Sequence, residues 1–239
     1  MNRPKPKIIT IVGARPQFIK AASLSRILRK KFKEIILHTG QHYDIEMSDN
    51  FFRELRIPWP DYNLGVGLSS PVRQLSAMLG KLENVFLKEK PNLVLVYGDT
   101  NSTLAGALAA AKLNIPIAHI EAGLRSFRRD MPEEINRGLT DHLSRFLFCP
   151  TRNAVNNLRR EGVANGVYNV GDVMYDSLIF FFFGEAKKKS KILTKFNLSK
   201  KAYFLATIHR AENTNSKERL KKIITIFNEL KNPVIFPLH

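Results

Sequence analysis

The sequence predicts an α/β protein built on a doubly wound parallel sheet. Short apolar runs rich in Val and Ile alternate with segments of helical periodicity. Glycine follows the first two runs, at Gly13 and Gly40, and proline stands where helices are expected to begin, at Pro16 and Pro132. Strand exits and helix starts therefore fall at the same edge of the predicted sheet.

Strands and helices alternate along the first part of the chain. Apolar runs predict strands at 8–12, 35–38, 93–97, 117–121 and 146–149. Each predicted helix follows a turn signal: G-A-R-P, Q-H-Y-D, S-S-P, D-T-N-S and M-P stand before or at the helices at 16–31, 44–55, 71–88, 102–113 and 132–143.

A second αβ unit is predicted to begin after the region 162–170. We place an N-terminal Rossmann-like domain at 1–165 and the start of a second domain at 166–239. A strand at 203–208, a helix at 217–230 and a strand at 234–236 repeat the strand–turn–helix order of the N-terminus. About two core strands remain to this unit, fewer than a self-sufficient domain usually has, so we expect it to be incomplete.

Composition indicates a globular protein of a reducing compartment. The chain has 239 residues, of which 44% are apolar, and a single cysteine, Cys149. One cysteine allows no internal disulfide and no multi-cysteine metal site, so we expect a cytoplasmic location and no metal. The run at 178–183 is too short to span a membrane, and Ile8–Val12 is too short for a signal peptide.

The net charge of +17 raises the alternative of nucleic-acid binding. The basic runs at 29–31, 187–189 and 221–222 lie apart, without interleaved aromatic residues or a recognisable nucleic-acid motif. A solvated, lysine-rich surface that attracts an anionic substrate is the favoured interpretation, and no nucleic-acid or membrane partner is expected.

Three carboxylates lie where two neighbouring strands end and a helix begins. Asp99 follows the strand in V-Y-G-D-T-N-S, Glu121 ends the strand in H-I-E-A-G-L-R, and Glu133 opens the helix in M-P-E-E-I-N-R. Ligands of open α/β sheets bind at this edge, and crowded carboxylates suit general acid–base chemistry. The structural alternatives are that Asp99 or Thr100 caps the next helix and that Glu133 pairs with Arg137 at i,i+4.

Basic and polar side chains are predicted near the same edge. Arg15 follows the first strand at a helix start, which favours an anion, whereas Lys20 fits either an anion contact or a surface lysine. Gln41 and His42 follow the second strand, and His42 is either a structural group or a catalyst. His209, with the neighbouring arginine, would face the same cleft from the second unit as a phosphate contact or a proton carrier.

Seven motifs in order resemble those of the non-hydrolysing UDP-N-acetylglucosamine 2-epimerases. They are G-A-R-P-Q-F-I-K, T-G-Q-H-Y-D, Y-G-D-T-N-S-T-L-A-G-A-L-A-A, E-A-G-L-R-S, M-P-E-E-I-N-R, V-G-D-V-M-Y-D and H-R-A-E-N-T. The resemblance spans nearly the whole chain. It implies a GT-B-like fold, in which two Rossmann-like domains enclose the active site.

The resemblance also implies a reaction. Family members interconvert UDP-GlcNAc and UDP-ManNAc without a cofactor, by eliminating UDP to a 2-acetamidoglucal and adding it back after a proton returns to C2 on the other face. The family's role in cell-surface polysaccharide biosynthesis and its homodimeric state are implied in the same way.

The motif matches assign residues to roles. Asp99, Glu121 and Glu133 correspond to the family's acid–base group, and His209 joins them as a catalytic residue that also contacts the diphosphate. Three cationic residues correspond to contacts with UDP: Arg15, Lys20 and Arg137. A neighbouring site at which bacterial members are activated by their own substrate corresponds to Gln41, His42 and Arg73.

Two other functions stay open beside the epimerase. Full-length relatives continue well beyond this length, so we expect a C-terminally truncated chain, and a truncated chain could be a non-catalytic nucleotide-sugar-binding fragment. A GT-B glycosyltransferase shares the architecture and ranks lower, because three acids suit proton transfer better than sugar transfer to an acceptor.

Overall fold

The computed structural model describes residues 4–41, 52–67, 69–183, 190–208 and 211–237, with the side chains of residues 182, 211 and 212 left aside. The chain forms two compact units, Met1–Phe181 and Phe182–His239. The sequence pattern placed the division between domains earlier, at 165/166. No helix among these residues is long and apolar enough to cross a membrane.

The first unit contains a seven-stranded parallel sheet in the order β3-β2-β1-β4-β5-β6-β7. Its strands are β1 (Lys7–Val12), β2 (Lys33–His38), β3 (Tyr62–Asn63), β4 (Leu93–Tyr97), β5 (Ile117–Ile120), β6 (Phe146–Cys149) and β7 (Val167–Asn169). Its helices are α1 (Arg15–Lys31), α2 (Pro71–Glu89), α3 (Asn101–Lys112), α4 (Pro132–Leu143), α5 (Arg152–Arg160) and α6 (Val173–Phe183), the last of which ends just inside the second unit.

The strand order reverses at β1. Ile9 of β1 lies beside Ile35 of β2 on one side and beside Val94 of β4 on the other. The chain therefore builds the sheet outward first in one direction and then in the other. The crevice at the carboxyl ends of β1 and β4 is the topological switch point, where open α/β sheets bind ligands.

The core has one layer on each face of this sheet. Ile9 and Ile11 pack with Met78 of α2 and the alanines of α3, and Ile8 and Val12 pack with Phe18 of α1 on the opposite face. Alternate side chains of a strand point to opposite faces, so a strand buried on both faces is a continuous apolar run. Burial of each such side chain stabilises the fold by roughly 2 kcal/mol.

The second unit contains a two-stranded parallel sheet. Its strands are β8 (Phe204–Leu205) and β9 (Val234–Ile235), and its helices are α7 (Ile192–Lys195), α8 (Ala211–Thr214) and α9 (Lys217–Glu229). Ser216 caps α9 by accepting a hydrogen bond from the Arg219 amide at 3.3 Å. The connection through α9 gives this unit the βαβ element of a Rossmann-like domain, with strands shorter than the sequence predicted.

The structure adds five elements that the sequence pattern did not predict: β3, α5 and β7 in the first unit and the short helices α7 and α8 in the second. Helix α5 is largely polar and buries Ala154 and Leu158, one turn apart, so its apolar stripe is too narrow to recognise. The edge strand β7 leaves Tyr168 and Asn169 exposed. The helix predicted at 44–55 lies mostly outside the described residues.

Candidate active site

Most of the predicted site residues are brought to the carboxyl edge of the first sheet. Arg15 is the first residue of α1 and Lys20 lies on the same helix. Asp99 follows β4, Glu121 follows β5 and Arg137 lies on α4. The predicted residues His42 and His209 lie outside the described part of the chain.

Lys20 and Glu121 form an ion pair between the Lys20 Nζ and a Glu121 carboxylate oxygen. The Lys20 residue is only 6% exposed, so the surface-lysine alternative is wrong. Glu121 has a φ of 71°, a left-handed conformation that is uncommon outside glycine, and its backbone N–H donates to the Phe148 carbonyl at 3.0 Å. Such conformations cluster at functional sites.

Gly98 makes room for this ion pair. Its φ is 63°, and a Cβ at this position would lie 3.1 Å from the Lys20 Nζ and 3.2 Å from a Glu121 oxygen. Both the backbone conformation and the space therefore favour glycine directly before Asp99.

Asp99 and Arg137 form a second ion pair at the same edge. The Arg137 guanidinium also lies 3.1 Å from Glu134. Asn136 ties α4 to the loop after β4, because its amide nitrogen donates to the Asp99 carbonyl at 2.9 Å and to the Asn101 side chain at 3.2 Å. Thr100, rather than Asp99, caps α3 by accepting from the Thr103 amide at 3.3 Å.

Arg137 pairs with Glu134, which the sequence analysis did not single out, and not with Glu133. Glu133 is exposed and makes no side-chain hydrogen bond or ion pair with another residue that the structure describes, so the i,i+4 pair with Arg137 is wrong. Glu134 is the partner instead, and it also accepts from the Ser126 and Phe127 amides at 2.9 Å each. Burial raises the pKa of Glu134, but these hydrogen bonds and the charge of Arg137 outweigh it and leave the pKa lowered.

The loop before α1 is held by Gln17, a residue that sequence reasoning missed. Its Oε1 accepts from the Gly13 and Ala14 amides at 2.8 and 3.0 Å, and its Nε2 donates to the Tyr97 carbonyl at 2.9 Å. The Gly13 and Ala14 amides are therefore already used. An anion at this helix start would depend on the Arg15 side chain.

Gln41 follows β2, and its side chain contacts the start of α3. Its side-chain oxygen accepts from the Ser102 backbone amide at 3.0 Å and from the Ser102 hydroxyl at 2.6 Å. Arg73 is exposed in the first turn of α2, where its backbone amide donates to the Ser70 cap at 3.5 Å. Gln41 is thus fixed beside the crevice, whereas the Arg73 side chain has no hydrogen bond or ion pair with another residue that the structure describes.

A buried pair, His119 and Asp141, lies beneath the two carboxylate loops and was also missed. Both side chains are fully buried, and the His119 Nδ1 lies 2.7 Å from the Asp141 Oδ1. The signal in the sequence was a histidine inside the otherwise apolar strand I-A-H-I. Nothing in the sequence pointed to a partner on α4.

A cavity of about 560 Å³ is lined by residues of α1, of α6 and of the sheet, and Glu121 lies in its wall. Apolar side chains such as Leu24, Leu95 and Phe148 form most of its wall. Within the described ranges, no three His, Cys, Asp or Glu side chains are arranged to hold a metal ion.

A parallel sheet with charged side chains at its switch point defines a Rossmann-like, ligand-binding α/β protein. The family model described as UDP-N-acetylglucosamine 2-epimerase matches residues 26–239, and the chain belongs to this family.

Similar proteins support the same membership. A UDP-N-acetylglucosamine 2-epimerase homolog of Methanococcus maripaludis is 62% identical over 233 residues, which are 98% of this chain and 65% of that protein. The UDP-2,3-diacetamido-2,3-dideoxy-D-glucuronate 2-epimerase of Pseudomonas aeruginosa is 53% identical over 241 residues, covering 98% of this chain and 66% of that protein. The chain thus spans just under two thirds of the length of these relatives.

A solved structure shows the likeness in three dimensions. The crystal structure of Methanocaldococcus jannaschii UDP-GlcNAc 2-epimerase in complex with UDP-GlcNAc and UDP matches with a TM-score of 0.89 at 46% identity, covering 98% of this chain and 66% of that one. The predicted fold class, α/β and GT-B-like, is confirmed over this share of the fold.

Proposed function

We propose that this chain belongs to an epimerase that interconverts UDP-GlcNAc and UDP-ManNAc at C2. The observation that carries the proposal is the pairing of each strand-end carboxylate with a cation at the switch point: Glu121 with Lys20 and Asp99 with Arg137. An epimerisation of this kind needs both charges, because carboxylates exchange the proton and cations bind the diphosphate.

The proposed reaction has two balanced halves. In the first, a carboxylate removes the C2 proton, the C1–oxygen bond to UDP breaks and a C1–C2 double bond forms. In the second, a proton returns to C2 on the other face and a UDP oxygen attacks C1. Asp99, Glu121 and Glu133 are proposed as the acid–base group, and His209 is proposed as a further catalytic residue. No net oxidation occurs, so the route uses no redox cofactor.

The two ion pairs suggest how substrate binding would activate the carboxylates. An anionic diphosphate competes with Glu121 for Lys20 and with Asp99 for Arg137, and Arg15 would add a third cation. Loss of a cationic partner raises the proton affinity of a carboxylate, which makes it a better base. Substrate binding and activation of the acid–base group are therefore expected to occur together.

A second substrate class rests on a separate observation. The relative from Pseudomonas aeruginosa, named for a diacetamido-glucuronate substrate, is 53% identical to this chain, whereas the UDP-N-acetylglucosamine 2-epimerases of Methanococcus maripaludis and Methanocaldococcus jannaschii are 48% and 47% identical. UDP-2,3-diacetamido-2,3-dideoxy-glucuronate is therefore the second candidate, with the same chemistry at C2.

The test is proton NMR of the purified chain with each UDP-sugar in D2O. Loss of the C2 signal together with resonances of the C2 epimer supports the proposal and identifies the sugar. Asp99→Asn and Glu121→Gln should abolish the exchange, and Glu83→Gln, at an exposed position of α2, is the matched control. A folded chain that binds UDP without exchange over hours would instead be a nucleotide-sugar-binding fragment.

The wider setting is part of the same proposal. We expect a homodimer that acts in the cytoplasm, in line with the single cysteine, and that supplies a sugar for cell-surface polysaccharides. Light scattering after size-exclusion chromatography tests the dimer, and a monomer at micromolar concentration would refute it. The activator role of Gln41, His42 and Arg73 is tested by sigmoidal dependence of the exchange rate on substrate.

A further inference from the structure

His119 occupies the position that joins the two carboxylate loops. It lies on β5, two residues before Glu121, and its side chain is fully buried. Its Nε2 lies 2.7 Å from the Gly98 carbonyl oxygen, directly before Asp99, and its Nδ1 lies 2.7 Å from the Asp141 Oδ1. One imidazole ring therefore contacts the Asp99 loop and a carboxylate of α4.

Counting protons shows the state of this ring. The Gly98 carbonyl can only accept, so the Nε2 carries a proton. A second proton is needed between the Nδ1 and the Asp141 Oδ1, because two lone pairs at 2.7 Å repel. The other Asp141 oxygen accepts from the Gly123 amide at 3.0 Å and from Arg125 at 2.7 Å. Asp141 is thus held as a carboxylate that accepts from three donors.

The charges around Asp141 agree with this assignment. Burial raises the pKa of Asp141, but the hydrogen bond and charge of His119 and the charge of Arg125 lower the pKa by more, so the net shift is downward. The contacts assign the proton between the two residues to the imidazole, because Asp141 also accepts from the Gly123 amide and from Arg125.

We propose that His119, as a buried imidazolium paired with Asp141, is a positioning residue that fixes the loops of Asp99 and Glu121; the proposal rests on the function proposed above. The pair hydrogen-bonds a backbone group of each loop: His119 contacts the Gly98 carbonyl, and Asp141 accepts from the Gly123 amide. Gly98 has a φ of 63° and Gly123 has a φ of 78°, so each loop turns at a glycine that this pair hydrogen-bonds.

Other titratable groups surround the pair and complete its charge balance. Arg125 makes two hydrogen bonds of 2.7 Å to Glu161, at the end of α5, so two cations face two carboxylates. Burial raises the pKa of the Cys149 thiol on β6 to about 11, which keeps it neutral. Toward the crevice, Glu121 is paired with Lys20, and Asp99, directly after Gly98, is paired with Arg137.

The first test uses the unaltered chain. With ¹⁵N-labelled histidine, we expect one buried histidine to show both ring nitrogens protonated at neutral pH, and this signal should vanish in His119→Gln. A ring with one protonated and one bare nitrogen would overturn the proposal, and this measurement does not require any variant to fold or any turnover to occur.

The second test separates positioning from packing. In His119→Gln we expect kcat for C2 exchange to fall by about 100-fold with little change in KM, as for a displacement of about 1 Å at the reacting groups. Loss of the cation should also move the acidic limb of the pH profile to higher pH, since nearby carboxylates lose a stabilising charge. His142→Gln, at the exposed histidine of α4, is the control and should leave both unchanged.

Two outcomes distinguish this proposal from the proposed function. If the wild-type chain catalyses no exchange, the function fails in this chain, and positioning is read from backbone amide shifts instead. Shifts in His119→Gln concentrated at Gly98, Asp99, Glu121 and Gly123 support positioning. Unchanged shifts there, or a folded variant with wild-type kcat and pH profile, overturn it.

Discussion

The substitution Gly98→Ala tests whether the loop before Asp99 is built around the Lys20–Glu121 ion pair. Gly98 has a φ of 63°, and an added Cβ would lie 3.1 Å from the Lys20 Nζ and 3.2 Å from a Glu121 oxygen. The left-handed conformation costs an alanine about 1–2 kcal/mol. The contacts add little to this figure, because both neighbouring atoms are the ends of flexible side chains that can move.

Two other glycines separate these effects. Gly65 has a φ of 60° with no atom within 4 Å of an added Cβ, so Gly65→Ala should show the backbone cost alone, about 1–2 kcal/mol. Gly80 lies within α2, without a positive φ and with no atom within 4 Å, so Gly80→Ala should stabilise the fold by about 0.5–1 kcal/mol.

Thermal unfolding and C2 exchange together give the answer. Gly98→Ala and Gly65→Ala should lower Tm by similar amounts, about 2–8 °C, and Gly80→Ala should raise it by about 1–4 °C. Only Gly98→Ala should slow exchange, because only there does the new methyl group push the ion pair apart. If Gly98→Ala keeps wild-type exchange, or if it is as stable as Gly80→Ala, the described role of the glycine is refuted.

Three further predictions concern single side chains. Hydrogen bonds from Tyr62 and Lys7 lower the pKa of Glu89, so the Glu89 carboxylate contributes fully to stability above about pH 4.5 and loses this contribution as the pH falls through the lowered pKa. The difference in unfolding free energy between wild type and Glu89→Gln, measured in urea, should therefore shrink as the pH falls over that range. A difference that grows as the pH falls would contradict the prediction. Asp99→Asn releases Arg137, so calorimetry should show UDP binding a few-fold tighter while exchange falls by at least about 100-fold; weaker UDP binding would speak against the pair. Cys149 is buried, and burial raises its pKa to about 11, so a thiol reagent at pH 8 should label it only after unfolding.

Local sequence signals were sufficient for most of the first sheet. The predicted bounds of β4, at 93–97, and of α4, at 132–143, agree with the structure because an apolar run and a proline at the helix start define them without help from distant residues. The elements that were missed there, β3, α5 and β7, bury few side chains. Their conformation is set by the neighbours onto which they pack, which a local pattern does not contain.

In the candidate site, too, one part could be predicted from local sequence and another could not. That Asp99 and Glu121 reach one sheet edge follows from chain direction, because both end parallel strands joined by one helix. Which partner each carboxylate takes depends on which strands become neighbours. Lys20, on the helix after β1, reaches Glu121, which follows β5, only because β4 pairs with both β1 and β5. The pairing of β1 with β4 joins segments that are far apart in sequence.

Which of two neighbouring glutamates, Glu133 or Glu134, pairs with Arg137 is decided by contacts outside the helix. Both precede Arg137 on α4, and helical spacing alone favours either as its partner. The loop after β5 decides, because Ser126 and Phe127 donate backbone hydrogen bonds to Glu134 and hold it beside Arg137. Glu133 is thereby left exposed at the start of the helix, where its carboxylate stays available to a ligand. Glu134→Gln should therefore remove the second carboxylate that competes for Arg137 and, like Asp99→Asn, tighten UDP binding, whereas Glu133→Gln should reduce exchange and leave UDP binding unchanged; the reverse pattern, measured by calorimetry and NMR, would exchange their roles.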